Sequence, residues 1–243
     1  MYFVTNTVKN AARHFAAEEL FTRYLHLNDP VLMLWQTDLT VMLGNNQVLE
    51  AEVDTDIIKD INVSVVRRSS GGGAICTDKG SIQYTIIEPL LYDTKKHRET
   101  VATVVVGVLN DLKVPAEQKG RNDILVGEKK ISGLAQYTSG THLCTHGSLL
   151  FDTNLDILSK LLLAKPEKLH PKGITSVRSR VTNIKPLLKD VLSIDEFMLC
   201  LKTGFTQGKE CRDYYFSDED NKITDKIYNE KYANDAWNLR VEQ

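Results

Sequence analysis

The sequence lacks any segment typical of a membrane span or a secretory signal. Its 243 residues contain no apolar run near the roughly 18–20 residues that a transmembrane helix needs. The two longest candidates, residues 101–109 and 155–164, are interrupted by glycine, polar or charged residues. The N-terminal sequence MYFVTN has neither the charged start nor the apolar stretch of a signal peptide. We therefore expect a cytoplasmic protein without a membrane partner.

Cysteine is also scarce, and its spacing argues against two classes of stabilised domain. The four cysteines, Cys76, Cys144, Cys200 and Cys211, form no CxxC pair and no Cys/His metal-ligand spacing. Neither a disulfide framework nor structural zinc is expected. Only 6 Pro and 14 Gly occur, too few for a fibrous or disordered protein.

A surplus of charge of one sign is absent as well. The 30 Lys and Arg residues are balanced by 32 Asp and Glu residues, which leaves a formal net charge of −2. Such a chain has no bulk electrostatic attraction for nucleic acid, and its short arginine clusters have no interleaved aromatic residues. The hydrophobic share of 42% is ordinary for a globular protein. These values predict a globular protein without a nucleic-acid partner.

Helical and strand patterns are intermixed along the chain. Apolar residues near helical spacing predict helices over residues 8–25, 98–112, 155–163 and 217–232. A capping-box spacing, Ser193 with Glu196, predicts the start of another helix. Short apolar or β-branched runs predict strands at residues 31–35, 39–43, 62–67, 82–87 and 148–151, with the whole of 75–87 extended.

The arrangement of these elements predicts the fold class. Several strands come in adjacent pairs, and the polar residues 36–38 between two of them suggest a hairpin or a sharp corner. This favours an α/β (α+β) fold with a mixed, largely antiparallel sheet flanked by helices over a doubly wound parallel sheet. Most predicted strands fall in residues 1–185, and residues 190–243 are predicted to be almost wholly helical.

The segment most typical of a binding site is residues 67–75, RRSSGGGAI, between two predicted strands. Three consecutive glycines let backbone N–H groups approach a ligand, and such a turn can form an anion-binding nest. Arg67 and Arg68 would add charge-assisted hydrogen bonds to a phosphate or carboxylate. The segment is neither GxxxxGK[ST] nor a GxGxxG that opens a helix. An anion site is favoured over the alternative, a glycine hairpin with solvated arginines.

A second candidate site lies in residues 120–133, where GRND is followed by GEKKISG. Asp123 offers the oxygen ligand that Mg²⁺ prefers. Lys129 or Lys130 leads a predicted strand, where a lysine can meet a transferring phosphate or an activated carboxylate. From charge alone, a hairpin whose lysines face water is the favoured interpretation.

Three further features are weaker by themselves. Cys144 lies two residues before His146, a strand spacing that does not pair a nucleophile with a base, so a buried structural cysteine is favoured. Residues 172–183, KGITSVRSRVTN, suit either a mobile flap over an anionic ligand or a solvated basic loop. Trp35 ends an apolar strand and suits either a pocket wall or the core.

Several short segments, taken in their order along the chain, resemble the lipoate–protein ligase family. They are LWQ at 34–36, RRSSGGGA at 67–74, GRND at 120–123, KISG at 130–133, HG at 146–147 and KGITSVRSRVTN at 172–183, with Glu18-Glu19, Lys231-Tyr232 and Trp237. The second and last of these runs are long and specific, and the shorter ones support them by their order. The resemblance covers essentially the whole chain.

The resemblance implies a single catalytic domain over residues 1–243, with the fold shared by biotin and lipoate ligases. Residues 1–185 would form the ligand-binding core and 190–243 a helical C-terminal portion. Such an enzyme uses ATP and Mg²⁺ to convert lipoate to lipoyl-AMP. It then transfers the lipoyl group to a lysine of an apo lipoyl-domain protein, either a 2-oxoacid dehydrogenase subunit or a glycine-cleavage carrier protein.

Many relatives continue into a C-terminal accessory domain that serves the activation step, and none is expected here. Three modes of action follow from the resemblance. The chain would need a separate accessory subunit, use preformed lipoyl-AMP, or act alone.

The resemblance also implies roles for individual residues. Lys130 is the expected catalytic residue, and Asp123 is the expected ligand of Mg²⁺. The expected lipoate-binding residues are Trp35, Arg68, Ser70, Gly71, Gly72, Gly73 and His146. The expected ATP- or AMP-binding residues are Gly73, Ile75, Thr77, Asp123, Lys130, Lys172, Gly173, Ser176, Val177 and Arg178. Two positions near the nucleotide depart from the family pattern: Thr77-Asp78 replaces His-Asp, and Gly80-Ser81 replaces Gly-Asn.

Two other functions are alternatives to the ligase. An octanoyl- or lipoyl-transferase of the same superfamily works through an acyl-cysteine upstream of the KISG segment, where residues 115–128 contain no cysteine. A non-catalytic lipoyl-binding protein has no need of Lys130, Asp123 and the basic residues of 172–183. The ligase is therefore the favoured prediction.

Overall fold

Two sheets organise the part of the chain that the computed structural model describes, residues 1–5, 8–90, 93–163 and 177–240. The strands are β1 (Tyr2–Val4), β2 (Val31–Trp35), β3 (Thr40–Leu43), β4 (Ser64–Arg67), β5 (Ile75–Thr77), β6 (Ser81–Pro89), β7 (Ala116–Lys119), β8 (Asp123–Val126), β9 (Lys129–Ser139), β10 (His142–Leu150) and β11 (Arg212–Tyr214). The large sheet has the order β11-β1-β2-β6-β10-β9-β8-β7, and the small one β4-β3-β5. In the large sheet, β1 is parallel to both neighbours and the other pairs are antiparallel. The predicted fold class is confirmed.

Helices flank both sheets. They are α1 (Ala11–Glu19), α2 (Leu49–Glu52), α3 (Thr55–Asp60), α4 (Thr94–Asp111), α5 (Leu155–Leu161), α6 (Val177–Arg180), α7 (Ile194–Thr206), α8 (Asp218–Ile227) and α9 (Asp235–Asn238). Single π-helical turns, Leu20–Tyr24 and Tyr228–Tyr232, extend α1 and α8. The predicted capping box of Ser193 and Glu196 begins α7. None of the described helices combines the length and apolar character that crossing a membrane requires.

Strand β2 illustrates how the large sheet is buried on both faces. Leu32 and Leu34 pack in the core beneath α4 and α7, whereas Met33 and Trp35 pack against α1 on the other face. Because successive side chains of a strand point to opposite faces, a strand covered on both sides is apolar at every position. This explains the uninterrupted run VLMLW.

The polar segment between β2 and β3 is a corner, because the two strands belong to different sheets. Thr37 Oγ1 lies 2.7 Å from Thr77 Oγ1 of β5 and joins the corner to the small sheet. Residues 68–74, here called the glycine loop, connect β4 to β5, which flank β3 on either side. The loop therefore passes the end of β3 and borders the space between the sheets.

Among the predicted elements, the C-terminal portion and the strand near residue 148 differ in the structure. Residues 190–243 are not wholly helical, because Arg212–Tyr214 forms β11 and pairs in parallel with β1. Strand β10 begins at His142, well before the predicted start at residue 148. Strand β11 is held by pairing with the distant β1, and β10 pairs along its length with β6 and with its hairpin partner β9, which a local pattern of apolar residues does not report. The predicted loop over residues 164–172 lies outside the described residues.

Candidate active site

A cavity of about 290 Å³ lies between the large sheet, α1 and the glycine loop. This volume is near the lower end of the range for small-molecule sites. Its apolar lining is Phe15, Trp35, Met42, Ile75, Leu134 and Ala135, and the rest is Arg68, Gly72, Gly73, Gln83, Asn122, Asp123, Lys130, Gly133, His146, Gly147 and Ser148. The cavity therefore offers an apolar surface together with a cationic and hydrogen-bonding surface.

Lys130 reaches this cavity because a β-bulge shifts the alternation of β9. Asp123 pairs with Gly133, but Leu125 pairs with Lys130, so β9 has one residue more than β8 between these pairs. In a regular strand residues 130 and 133 would face opposite sides, whereas the bulge brings both to the side of Asp123. Lys130 Nζ lies 2.7 Å from Asp123 Oδ1. A Cβ at position 133 would lie 2.9 Å from this amine, so glycine leaves the lysine its space.

The Lys130–Asp123 pair is accessible to a ligand. Its two side chains remain 38% and 44% exposed. The backbone of Lys130 is fixed from the other side, because its carbonyl accepts a hydrogen bond of 3.1 Å from the N–H of Thr182 and Val181 forms a bridge to it. The predicted flap of residues 172–183 thus ends directly against the lysine.

The buried guanidinium of Arg68 holds the glycine loop in shape. Its Nε donates to Ser70 Oγ at 3.0 Å, and its Nη1 donates to the carbonyl of Met42 at 3.0 Å. Its Nη2 donates to the carbonyls of Gly71 and Gly73 at 2.9 and 2.8 Å. Burial lowers the pKa of Arg68 to about 10, so the side chain remains a cation at neutral pH. Arg68 therefore lines the cavity as the organiser of the loop.

Arg67 is also buried, and it joins the base of the glycine loop to the end of the chain. Its guanidinium donates to the carbonyls of Gly44, Asn45, Gln47, Trp237 and Arg240. The indole N–H of Trp237 donates back to the Arg67 carbonyl at 2.9 Å. The sequence predicted that both arginines would meet an anion, whereas the structure places these donors of Arg67 on backbone carbonyls.

A hydrogen-bond network centred on Glu18 forms another wall of the cavity. The carboxylate of Glu18 accepts from His146 Nδ1 at 3.0 Å and from the Thr85 hydroxyl at 2.7 Å. His146 Nε2 lies within hydrogen-bond distance, 2.7 Å, of the hydroxyl of Ser70. Trp35 Nε1 donates to Thr85 Oγ1 at 3.2 Å. The network fixes the indole of the cavity wall and the glycine loop relative to helix α1.

Cys144 lies behind this wall and is poorly suited to nucleophilic chemistry. It is fully buried, and desolvation followed by the charge of Glu18 raises the pKa of its thiol well above the usual value. A thiol attacks as its thiolate, so this environment suppresses its reactivity. The side chains of Cys144, Glu18 and His146 bring their ligand atoms within 4.8 Å of one another. Sulfur and nitrogen are not ligands that Mg²⁺ prefers, so this group is not a magnesium site.

The structure brings most of the predicted site residues together. Those that line the cavity are Trp35, Arg68, Gly72, Gly73, Ile75, Asp123, Lys130 and His146. Ser70 and Gly71 belong to the loop wall through their bonds to Arg68. The assignments to lipoate and nucleotide remain predictions.

The other predicted residues have different surroundings. Thr77 is buried in the small sheet with its hydroxyl on Thr37. Val177 and Arg178 begin α6, where Arg178 Nε lies 3.0 Å from Asp156 Oδ1. The predicted contacts of Lys172, Gly173 and Ser176 lie outside the described residues.

The sequence assigned no role to several residues of the site. Gln83 of β6 and Asn122 line the cavity. Gln83 belongs to no motif, and Asn122 belongs to the GRND segment without a role of its own. Gly147 is required by packing, because a Cβ there would lie 2.3 Å from the hydroxyl of Tyr84. Glu18, which the sequence offered only as part of the Glu18-Glu19 pair in the family resemblance, is 1% exposed.

Comparison with known proteins identifies the family. The family described as "Lipoyl protein ligase A/B catalytic domain" matches residues 10–206. The chain is 35% identical over 240 residues to lipoate–protein ligase 1 of Staphylococcus aureus, and the alignment covers 98% of this chain and 73% of that protein. The chain belongs to the lipoate–protein ligase family.

Solved structures of lipoate ligases share the fold of this ligase. A bi-partite lipoate protein ligase from Thermoplasma acidophilum, described with its E2 lipoyl domain, matches with a TM-score of 0.88 at 28% identity, covering 100% of this chain and 97% of that chain. A lipoate-protein ligase A bound with ATP matches with a TM-score of 0.87 at 26% identity, covering 99% of each chain. The enzyme class, an ATP-dependent ligase, follows from the family.

Substitution of Gly73 in this ligase is expected to weaken substrate binding without lowering the stability of the fold. A Cβ at position 73 meets nothing within 4 Å, so Gly73→Ala should leave the melting temperature unchanged. Because Gly73 lines the cavity, the added methyl group should raise KM for ATP or lipoate by about tenfold. Gly71→Ala is the matched comparison, since its Cβ is equally unobstructed, and it should raise KM less. An unchanged KM in Gly73→Ala would identify the loop as a plain hairpin.

His14 is expected to make the ligase less stable in acid. Burial lowers the pKa of His14 to about 4, and its ring stacks on Trp35 with centroids 4.3 Å apart. The unfolded chain binds a proton at this histidine below about pH 6.5 while the folded chain does not, so stability falls as the pH drops from 6.5 to 4. The loss should reach about 3 kcal/mol in urea unfolding.

A pair of variants isolates this contribution. His14→Gln should flatten the pH dependence of the free energy of unfolding between pH 6.5 and 4. The exposed His26 is the control, and His26→Gln should leave the slope as in the wild type. Equal slopes in all three proteins would show that His14 titrates normally in the folded state.

Proposed function

We propose that the chain attaches lipoate to a lysine of a lipoyl-domain protein in two steps. In the first, a lipoate carboxylate oxygen attacks the α-phosphorus of ATP, and pyrophosphate leaves. In the second, the lysine amine attacks the acyl carbon of lipoyl-AMP, an amide bond forms, AMP leaves and the amine loses a proton. The observation that carries this proposal is the Lys130–Asp123 pair, 2.7 Å apart, in a cavity that also has an apolar surface.

In this reaction the different residues of the cavity would have different roles. The wall of Phe15, Trp35 and Met42 would receive the apolar lipoyl chain and exclude water. The amine of Lys130 would face the carboxylate and the phosphate, where negative charge develops. The activated acyl group carries its own leaving group, so the chain needs no nucleophile, and none is provided by the buried thiol of Cys144.

Asp123 and Asn122 fit a magnesium ion. Asn122 Oδ1 is buried and has no hydrogen-bond partner among the described residues, and the carboxylate of Asp123 is 44% exposed beside it in the cavity lining. Oxygen atoms of this kind are the ligands that Mg²⁺ prefers. When bound, the ion would neutralise charge on the phosphates of ATP. In our proposal these two residues hold the ion while Lys130 meets the substrate.

The lipoyl-domain partner is supported by the T. acidophilum ligase, which is described with its E2 lipoyl domain. The same ligase is described as bi-partite, which supports an accessory subunit for the activation step. Within our proposal the acceptor is a 2-oxoacid dehydrogenase subunit or a glycine-cleavage carrier protein.

Intact-mass spectrometry of a purified apo lipoyl domain tests the function. One reaction contains the chain with ATP, Mg²⁺ and lipoate, and the other contains the chain with synthetic lipoyl-AMP. A lipoyl mass increase in both means that the chain activates and transfers by itself. An increase only with lipoyl-AMP means that activation needs an accessory subunit. No increase in either, with acceptor still bound, would favour a non-catalytic binding protein.

A further inference from the structure

A second cleft, of about 510 Å³, opens on the surface beside the start of α4. Its lining comes from α4, β7 and the turn between β7 and β8: Thr94, Lys95, Arg98, Glu99, Gln118, Gly120 and Arg121. Three cations against one carboxylate give this α4 cleft a formal charge of +2, in a chain whose net charge is −2. Lys95 Nζ lies 3.9 Å from Glu99 Oε1, and this ion pair is neutral. The net positive charge of the cleft therefore comes from the two arginines.

Arg98 indicates that the α4 cleft binds an anion. The side chain is only 8% exposed, and its Nη1 donates to Gln136 Oε1 at 3.0 Å. Its Nε is buried and has no hydrogen-bond partner among the described residues. A buried charged donor without an acceptor is costly, so a carboxylate or phosphate oxygen entering the cleft would be stabilised there. The first turn of α4 is already capped by Asp93, whose side chain accepts a hydrogen bond from the N–H of Lys96. The anion-binding groups of the cleft are therefore the arginine side chains.

The α4 cleft adjoins the candidate active site through a single turn. Gly120 and Arg121 line the cleft, and the next two residues, Asn122 and Asp123, line the catalytic cavity. Neighbouring Cα atoms are about 3.8 Å apart, whereas a protein partner of ordinary size covers about 800 Å² of surface. An acceptor protein whose lysine enters the catalytic cavity would therefore also cover the α4 cleft.

We propose that the α4 cleft receives an acidic side chain of the acceptor protein during lipoyl transfer, which rests on the function proposed above. The acceptor must bring a cationic lysine towards Lys130, and an acidic group beside that lysine reduces the repulsion. Arg121 is exposed and has no partner in the described part of the chain, so it is available to such a group. Complementary charges at the rim of an interface raise the association rate and fix the orientation of the partner.

Charge reversal of Arg121 tests the proposal with preformed lipoyl-AMP and an apo lipoyl domain as acceptor. Arg121→Glu should lower kcat/KM for the lipoyl domain about tenfold and weaken its dependence on salt. Transfer to hydroxylamine, a small acceptor that forms the hydroxamate as AMP leaves, should not change. Arg121→Lys should retain most of the rate. Lys222→Glu, an equal charge change at an exposed position of α8, is the control and should behave as wild type.

The other outcomes overturn the proposal in distinguishable ways. A loss with hydroxylamine as large as that with the lipoyl domain would show that the cleft acts on a small anion such as a phosphate. Equal rates for wild type and Arg121→Glu with both acceptors would exclude docking at the cleft. A wild-type chain that transfers to neither acceptor would overturn the proposed function and, with it, the docking proposal.

Discussion

Lys130→Ala is expected to lower lipoyl transfer by about 100- to 1,000-fold, the loss typical of removing one preorganised group that faces developing negative charge. The fold should persist, because the side chain is partly exposed and its described partner, Asp123, is 44% exposed. The measurement is the single-turnover rate of transfer from lipoyl-AMP to an apo lipoyl domain, with circular dichroism to verify folding.

The neighbouring lysine provides the control for this result. Lys129 is exposed and precedes the β-bulge that directs Lys130 towards the cavity. Lys129→Ala removes the same charge from the same hairpin, and we expect it to be mild. A fully active Lys130→Ala, or equal losses in both variants, would contradict the assignment of Lys130 as the catalytic residue.

Gly44→Ala is expected to displace the glycine loop. A Cβ at position 44 would lie 2.0 Å from the backbone oxygen of Gly72, and backbone atoms cannot rotate away as a side-chain end can. The loop must therefore move, and a displacement of about 1 Å in a catalytic site can cost on the order of 100-fold in rate. We expect a loss of this size in kcat/KM, with about 1–3 kcal/mol of lost stability.

A second glycine separates this steric effect from a general effect of alanine. Gly107 lies within α4, and a Cβ there meets nothing within 4 Å. Gly107→Ala should stabilise the protein by about 1 kcal/mol through helix propensity and leave activity unchanged. The readouts are urea unfolding and kcat/KM for ATP. If Gly44→Ala retained wild-type kcat/KM, the position of the glycine loop would not control the reaction.

The sequence predicted the glycine loop as an anion-binding segment between two strands, and the structure places Gly72 and Gly73 in the cavity lining and the side-chain donors of Arg67 on backbone carbonyls. The three glycines follow a strand and precede another, and Gly72, with a φ of +98°, adopts a conformation that favours glycine. The motif does not reveal where the arginine side chains point. Arg67 donates to carbonyls up to 173 residues away, and Arg68 donates within its own loop and to Met42.

The predictions of secondary structure likewise succeeded where the signal is local and failed where it depends on distant residues. Strand β2 and the start of α7 agree with their predicted positions, because a continuous apolar run and a capping box are local signals. Strand β11 was missed, since its three residues are held by pairing with β1 near the other end of the chain. A three-residue strand has too little pattern of its own to be distinguished from a loop.

By itself the sequence determined the fold class and the glycine loop, because apolar patterns and a glycine motif are local signals, and it singled out Lys130 through the family resemblance. Tertiary structure decided the geometry of the site. The bulge in β9 turned Lys130 towards Asp123, and helix α1 carried Glu18 to His146, 128 residues further along. These contacts depend on strand register and helix packing, which are set by burial over the whole molecule rather than by neighbouring residues.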